Sequence, residues 1–191
     1  LAYKYKVVFF GIINIEMSES MQINNLIKKR GSIRNFNDQV ISDVHIKLIL
    51  EAGMKAPSAC NMRPYHFYVI QNKEILNQLG DFHPYTKMLK QANVAIVVCM
   101  VTNLNNNLAK GYQVQDCSAT TQNILLQASD LNIGTCWCGV FPREELVDKL
   151  KAILNIQEDY IQPMNIIALG YTDSWVESKG FYEESKVTFI K

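Results

Sequence analysis

The chain has 191 residues, of which 48% are hydrophobic and 19% charged, and its formal net charge is +1. That length suits one domain around one core, and that balance excludes intrinsic disorder and a polyanion partner, so no nucleic acid is expected. Five cysteines, an odd number in largely apolar surroundings, fit the reduced thiols of a cytoplasmic protein better than a secreted disulfide framework.

The opening stretch "LAYKYKVVFFGIINIE" holds an apolar run far shorter than the roughly 20 residues of a membrane helix, so no membrane span is expected. Residues 1–16 read as an added leader or a β-prone arm, and 17–191 as a single domain that Met17 or Met21 would open. Serines ahead of "MQINNLIKKR" can cap a helix whose Ile23, Leu26 and Ile27 share a face and whose basic end suits the helix dipole. "SDVHIKLILEAGMKAP" repeats the pattern, with Ser42 as cap, Ile46, Ile49, Leu50 and Gly53 on one stripe, and Pro57 as the stop.

Residues 65–70 and 94–101 read as strands, the second apolar on both faces and therefore central, with two shorter helical patterns between them. A helix over 113–131 carries a broad stripe of Val114, Cys117, Thr121, Ile124, Leu125, Ala128 and Leu131. "PREELVDKLKAIL" places Pro142 at the first helical position, 164–171 is a buried strand, and "KVTFIK" alternates as a short closing strand. Strands and helices do not alternate one for one, which favours an α+β sheet layered with helices over a doubly wound Rossmann fold.

Three stretches could carry chemistry. In "RGSIRNF", Arg30, Ser32 and Arg34 project from one face of an extended segment while Ile33 projects from the other. Two guanidiniums and a hydroxyl make an anion clamp suited to phosphate; the same residues also read as a solvated basic turn. "APSACNMRPYHF" is a tight loop of small residues that admits a flat ligand or simply joins helix to strand. "GTCWCG", residues 134–139, puts two cysteines on one strand face, as a dithiol or half of a metal site would need. The three histidines lack zinc-site spacing to the cysteines, so no metal is expected. His66 reads as a packed strand residue, and Asp116 and Glu51 as capping or helix-surface charge, so no side chain stands out as a nucleophile or general acid.

Taken in order, "KRGSIRNF", "ILEAGMKAPSACNMRPYHFYVI", "QNILLQASDLNIGTCWCG" and "IIALGY" resemble the nitroreductase family of FMN-dependent oxidoreductases, from about residue 21 to the end. The resemblance implies a central mixed, mainly antiparallel sheet layered with helices and an intertwined homodimer with FMN at its interface. It implies that Arg30, Ser32 and Arg34 hold the FMN phosphate and ribityl chain, and that Lys179 in the tail returns to the phosphate. Pro57, Ser58 and Asn61 match a loop that contacts the flavin held mainly by the other subunit. Cys136, Trp137, Cys138 and Gly139 would lie against the ring through their backbone, with the Cys138 N–H as donor to flavin N5. Arg63 stands where glutamine is usual, Phe181 where many relatives carry a second basic residue, and Lys87 matches only weakly a lysine that approaches the ring in some relatives.

The implied activity is ping-pong hydride transfer from NADH or NADPH to flavin N5 and on to small electrophilic acceptors such as nitroaromatics or quinones, most commonly in a bacterial cytoplasm. Two alternatives are a non-catalytic FMN-binding, storage or sensor protein and a specialised flavin dehydrogenase or dehalogenase of the same family. On this reading the two cysteine side chains are incidental, and replacing both with alanine or serine leaves hydride transfer largely intact.

Overall fold

The computed structural model describes residues 24–191. The leader at 1–16 and the start of the first expected helix lie outside the described residues. Helix α1 is seen over 24–29, with Leu26 half-buried and Ile27 exposed, and the chain then runs extended through Arg30–Arg34. Helix α2 (Asp43–Met54) starts where expected: the Ser42 hydroxyl accepts from the His45 N–H at 3.2 Å, and Ile46, Ile49 and Gly53 are buried.

Strand β1 (Tyr65–Ile70), helix α3 (Lys73–Gly80), a 3-10 turn at Lys87–Lys90 and strand β2 (Val94–Val101) follow. Helix α4 (Gln113–Asp130), strand β3 (Gly134–Gly139), helix α5 (Glu144–Leu154) and strand β4 (Ile161–Gly170) complete the layers. The four strands lie in the order β1-β2-β4-β3 with every neighbouring pair antiparallel. One parallel bridge, Ser32 to Thr135, makes the sheet mixed.

Both faces of the central strands are covered, which is why β2 and β4 are apolar without a break. Ile96, Val98 and Ile167 meet Ile46, Ile49, Cys117 and Ile124 of α2 and α4 on one side. Ala95, Val97, Ile166 and Ala168 meet Leu76, Leu79, Leu89, Val147 and Leu150 of α3, the 3-10 turn and α5 on the other. Each fully buried Val, Leu or Ile among them contributes about 1.5–3 kcal/mol relative to exposure.

Four local expectations are corrected. Pro142 is not the first helical residue: Arg143 keeps extended angles (φ −84, ψ 104) and α5 begins at Glu144. "KVTFIK" forms no strand pairing among the described residues; a 3-10 turn at Glu184–Lys186 precedes an irregular, exposed end. Val114 lies on the exposed side of α4. Strand β4 begins at Ile161, because Ile161 already pairs with Val101.

Candidate functional site

The sheet order leaves β3 at an edge, and the segment Arg30–Arg34 covers only its first half. The Ile33 N–H donates to the Thr135 carbonyl at 2.8 Å. Ile33 is buried while Ser32 and Arg34 are exposed, the alternation an extended segment requires. The tail returns to the same place. The Ser178 N–H donates to the Lys28 carbonyl at 2.8 Å, and Val176 passes so close to Gly31 that a Cβ there would meet its carbonyl oxygen at 1.6 Å. Lys29 lies over the Trp175 ring at 5.0 Å, a further tie between the two segments.

Between them lies a cavity of about 510 Å³ lined by Arg30, Gly31, Ser32, Arg34 and Val176–Lys179. The chain thus brings together all four residues expected to hold a phosphate. Within this segment the Arg34 guanidinium donates to the Ser32 carbonyl at 3.2 Å. Phe181 is exposed and lines no part of this cavity.

A second cavity of about 570 Å³ runs along the uncovered half of β3, lined by Cys136–Arg143 together with Arg34, His83, Pro84, Tyr85 and Leu146. Arg34 borders both cavities, so the cationic pocket opens onto a groove whose wall is strand backbone. An added Cβ at Gly139 would meet nothing within 4 Å; the space in front of it belongs to the groove.

Hydrogen-bond alternation decides which backbone groups face that groove. The Thr135 carbonyl turns outward to Ile33, and the Val140 N–H turns inward to Met164 at 3.1 Å. Cys138 stands opposite Ile166 in the same phase as Val140, so its N–H points into the sheet. The outward N–H groups at this end of β3 are those of Trp137 and Gly139. The Cys138 N–H, the expected donor, is therefore turned toward β4 and away from the groove.

The side chains of Cys136 and Cys138 are buried and the Trp137 ring is 38% exposed on the opposite face. A hydrogen bond from Cys138 holds the Cys136 thiol down to about 7, burial opposes this, and Arg34 adds to the lowering; Cys138 is raised in turn by the same bond and by burial. His83 and Tyr85, which the periodicity of the sequence did not single out, flank the groove. The Tyr85 N–H donates to His83 Nδ1 at 3.0 Å. Burial lowers the His83 pKa, the Gly139 backbone partly restores it, and Arg143 and Lys149 lower it further. A lone histidine in a loop gives no periodic signal, and the aromatic cluster "FHPY" is the only local hint.

Pro57, Ser58 and Asn61 line neither cavity. Their loop has its own framework: Ser58 Oγ accepts from the Arg63 N–H at 2.9 Å and Asn61 Oδ1 from Arg63 Nε at 3.1 Å. Cys60, Asn61 and Arg63 all adopt positive φ, near 50°. Asp116 is not helix-surface charge. It is buried, and its Oδ1 accepts the Ala59 N–H at 3.1 Å, tying this loop to α4. Glu51 is exposed, 4.0 Å from Lys47. His66 is exposed and stacks edge-on to Tyr68, and Lys87 lines neither cavity. Among the described residues no cluster of three His, Cys, Asp or Glu side chains is placed to hold a metal, and no helix is long and apolar enough to cross a membrane.

Comparison with known proteins adds four findings. The family model described as "Nitroreductase family" matches residues 27–83 and 82–171. A Methanothermobacter thermautotrophicus protein named "Putative NADH dehydrogenase/NAD(P)H nitroreductase" is 42% identical over 171 residues, covering 90% of this chain and 88% of its own length. A crystal structure of a Bacteroides thetaiotaomicron protein of that name matches with a TM-score of 0.80 at 32% identity, over 87% of this chain and 95% of the other. A Desulfovibrio desulfuricans chain of the nitroreductase type, solved "in complex with fmn", matches at a TM-score of 0.75 and 26% identity, over 88% and 96%.

Proposed function

The chain belongs to the nitroreductase family, and on that premise we propose that it is an FMN-dependent oxidoreductase taking hydride from NADH or NADPH and reducing small electrophilic acceptors such as nitroaromatics and quinones. The observation that carries this reading is the position of Arg34, shared by a pocket of three cations and a groove walled by strand backbone. An anionic tail and a flat ring joined by a polyol need that sequence of environments, and the residues present fit FMN.

Arg30, Arg34 and Lys179 would balance the phosphate charge, the guanidiniums through paired N–H donors, and the Ser32 hydroxyl would add a further donor. The absence of a side chain at Gly139 lets a flat group reach the strand, where the Trp137 and Gly139 N–H groups lie on the open edge. When bound, FMN supplies the hydride acceptor and donor that no side chain of this chain offers. Arg34, which also lines the groove, would set a positive charge beside a bound ring and favour its anionic form. His83 is held with Nδ1 as an acceptor, and burial keeps the ring neutral near neutral pH, so it adds no charge to the groove.

The open groove and the separate Pro57–Asn61 loop support a homodimer in which that loop, from the partner subunit, covers the ring. Emptying and refilling one groove, first by the nicotinamide and then by the acceptor, gives ping-pong kinetics.

An anaerobic titration tests the reading. The purified protein is expected to be yellow, to bleach on addition of NADH or NADPH, and to regain its colour on addition of a nitroarene or quinone. A yellow protein that neither reductant bleaches is a flavin store or sensor. A colourless protein whose melting temperature FMN does not raise overturns the assignment.

A further inference from the structure

Charge is placed unevenly along the groove. Among the described residues its lining includes two arginines and no carboxylate. Arg34 sits where the groove meets the cationic pocket, whereas Arg143 lies past the end of β3 and, of the two cavities, lines only the groove. Arg143 is exposed and enters none of the ion pairs seen among the described residues, although Glu144 and Glu145 follow it directly.

The backbone that carries Arg143 is fixed on both sides. Its N–H donates to the Val140 carbonyl at 3.1 Å, and its carbonyl accepts the Leu146 and Val147 N–H groups at 3.0 and 3.1 Å, joining the end of β3 to the start of α5. Another stretch of the lining, His83–Tyr85, is fastened to the same helix: Lys149 Nζ donates to the Phe82 carbonyl at 2.7 Å and lies 5.2 Å from the centre of the Phe82 ring. The His83 and Tyr85 rings meet edge-on at 5.8 Å, and Tyr85 and Phe141 are 80% and 40% exposed. This end of the groove therefore sets aromatic surface beside a guanidinium on a rigid mount.

We propose that this end of the groove selects acceptors that carry a carboxylate on an aromatic ring, with Arg143 as the residue that recognises the carboxylate. The inference rests on the oxidoreductase reading above and deepens it by naming the acceptor class. It leaves Arg34 and the cationic pocket to the cofactor. The planar fork of Arg143 offers paired donors to the two carboxylate oxygens, and Tyr85 and Phe141 offer faces to the attached ring. With no carboxylate along the lining, an incoming anion meets attraction without a like charge to oppose it. The spacing of ring and charge separates two anionic candidates. A carboxylate bonded to its ring fits one short stretch of lining that holds both aromatic surface and cation, whereas the pyrophosphate of a nicotinamide coenzyme is set off from its ring by a ribose. Reduction of a nitro group to nitroso takes up a hydride and a proton and releases water, and the carboxylate is unchanged.

The test uses the FMN-loaded protein. Benzoate and benzamide have the same shape and are not reduced, so calorimetric titration with each reads binding without turnover. Benzoate is expected to bind the parent more tightly, and Arg143→Gln to weaken benzoate about tenfold more than benzamide. Arg143→Lys keeps the charge without the fork and should fall between the two. In turnover, the ratio of kcat/KM for para-nitrobenzoate over para-nitrobenzamide is expected to drop by about the same factor in Arg143→Gln, mainly through KM. Anaerobic bleaching by NADH and NADPH is followed separately. A loss confined to bleaching assigns the anion to the coenzyme and overturns the proposal, as does a parent that binds benzoate and benzamide alike, or a benzoate preference that survives Arg143→Gln. A protein that takes up no FMN, or whose flavin neither coenzyme bleaches, overturns the oxidoreductase reading and the acceptor class with it; a flavin that bleaches in a protein without the benzoate preference overturns the acceptor class alone. Melting curves establish that both variants are folded; if they are not, the parent's benzoate preference decides.

Discussion

At Gly31 the fit between the clamp and the tail is set by a single hydrogen atom. An alanine there places Cβ 1.6 Å from the Val176 carbonyl, a backbone atom that cannot rotate away. Gly31→Ala is therefore expected to cost about 1–3 kcal/mol of stability and to weaken FMN binding by roughly tenfold or more as Lys179 is pushed off; flavin fluorescence quenching measures the second effect. Arg34→Ala removes charge-assisted hydrogen bonds worth about 1.5–3 kcal/mol, so FMN affinity should fall by roughly 10- to 150-fold, and an unchanged affinity would remove Arg34 from the site. His83 supplies a pH prediction. Its folded pKa lies below the ordinary 6.5, so at higher pH it is neutral in both states and adds nothing. As the pH falls through 6.5 the unfolded chain takes up a proton that the folded chain resists, and stability is lost. The melting temperature of the parent should thus drop more steeply between pH 7.5 and 5.5 than that of His83→Gln; an equal or steeper drop in the variant contradicts the burial argument.

Among the elements, α4 does more than fill the core, because Asp116 in its first turn fixes the loop that carries Pro57, Ser58 and Asn61. Asp116→Ala leaves the Ala59 N–H without its acceptor, at a cost of about 1–3 kcal/mol, whereas Asp116→Asn keeps an acceptor oxygen in place. Urea midpoints of the two variants should separate accordingly, with asparagine nearer the parent. Strands β2 and β4, helix α2 and the Arg30–Arg34 alternation were legible in the sequence because each depends on near neighbours and a fixed period. What was not legible depended on contacts between distant segments. "KVTFIK" has strand alternation but pairs with no strand among the described residues. Cys138 needed the pairing phase of β3 with β4 before its N–H could be seen to turn inward. His83 enters the groove only because the α3–β2 connection folds over the end of β3.

For the whole molecule, the described surface asks for a partner. Phe181, Tyr182, Phe189 and Ile190 are all more than 70% exposed along one tail, and the Trp137 ring stands open beside the groove. The proposed homodimer would cover apolar side chains of this kind. Light scattering is expected to give twice the 21.8 kDa chain mass, and removal of residues 181–191 should shift the population toward monomer on dilution. A monomer that binds FMN at full occupancy would exclude the shared site. The tail's return to Lys28 and Gly31 has one more consequence, for biosynthesis. Arg30, Ser32 and Arg34 leave the ribosome well before the residues that roof them. The cationic pocket closes only once Val176–Lys179 have emerged, so a polypeptide that stalls before Val176 has a sheet and a core but no roof over Arg30, Ser32 and Arg34.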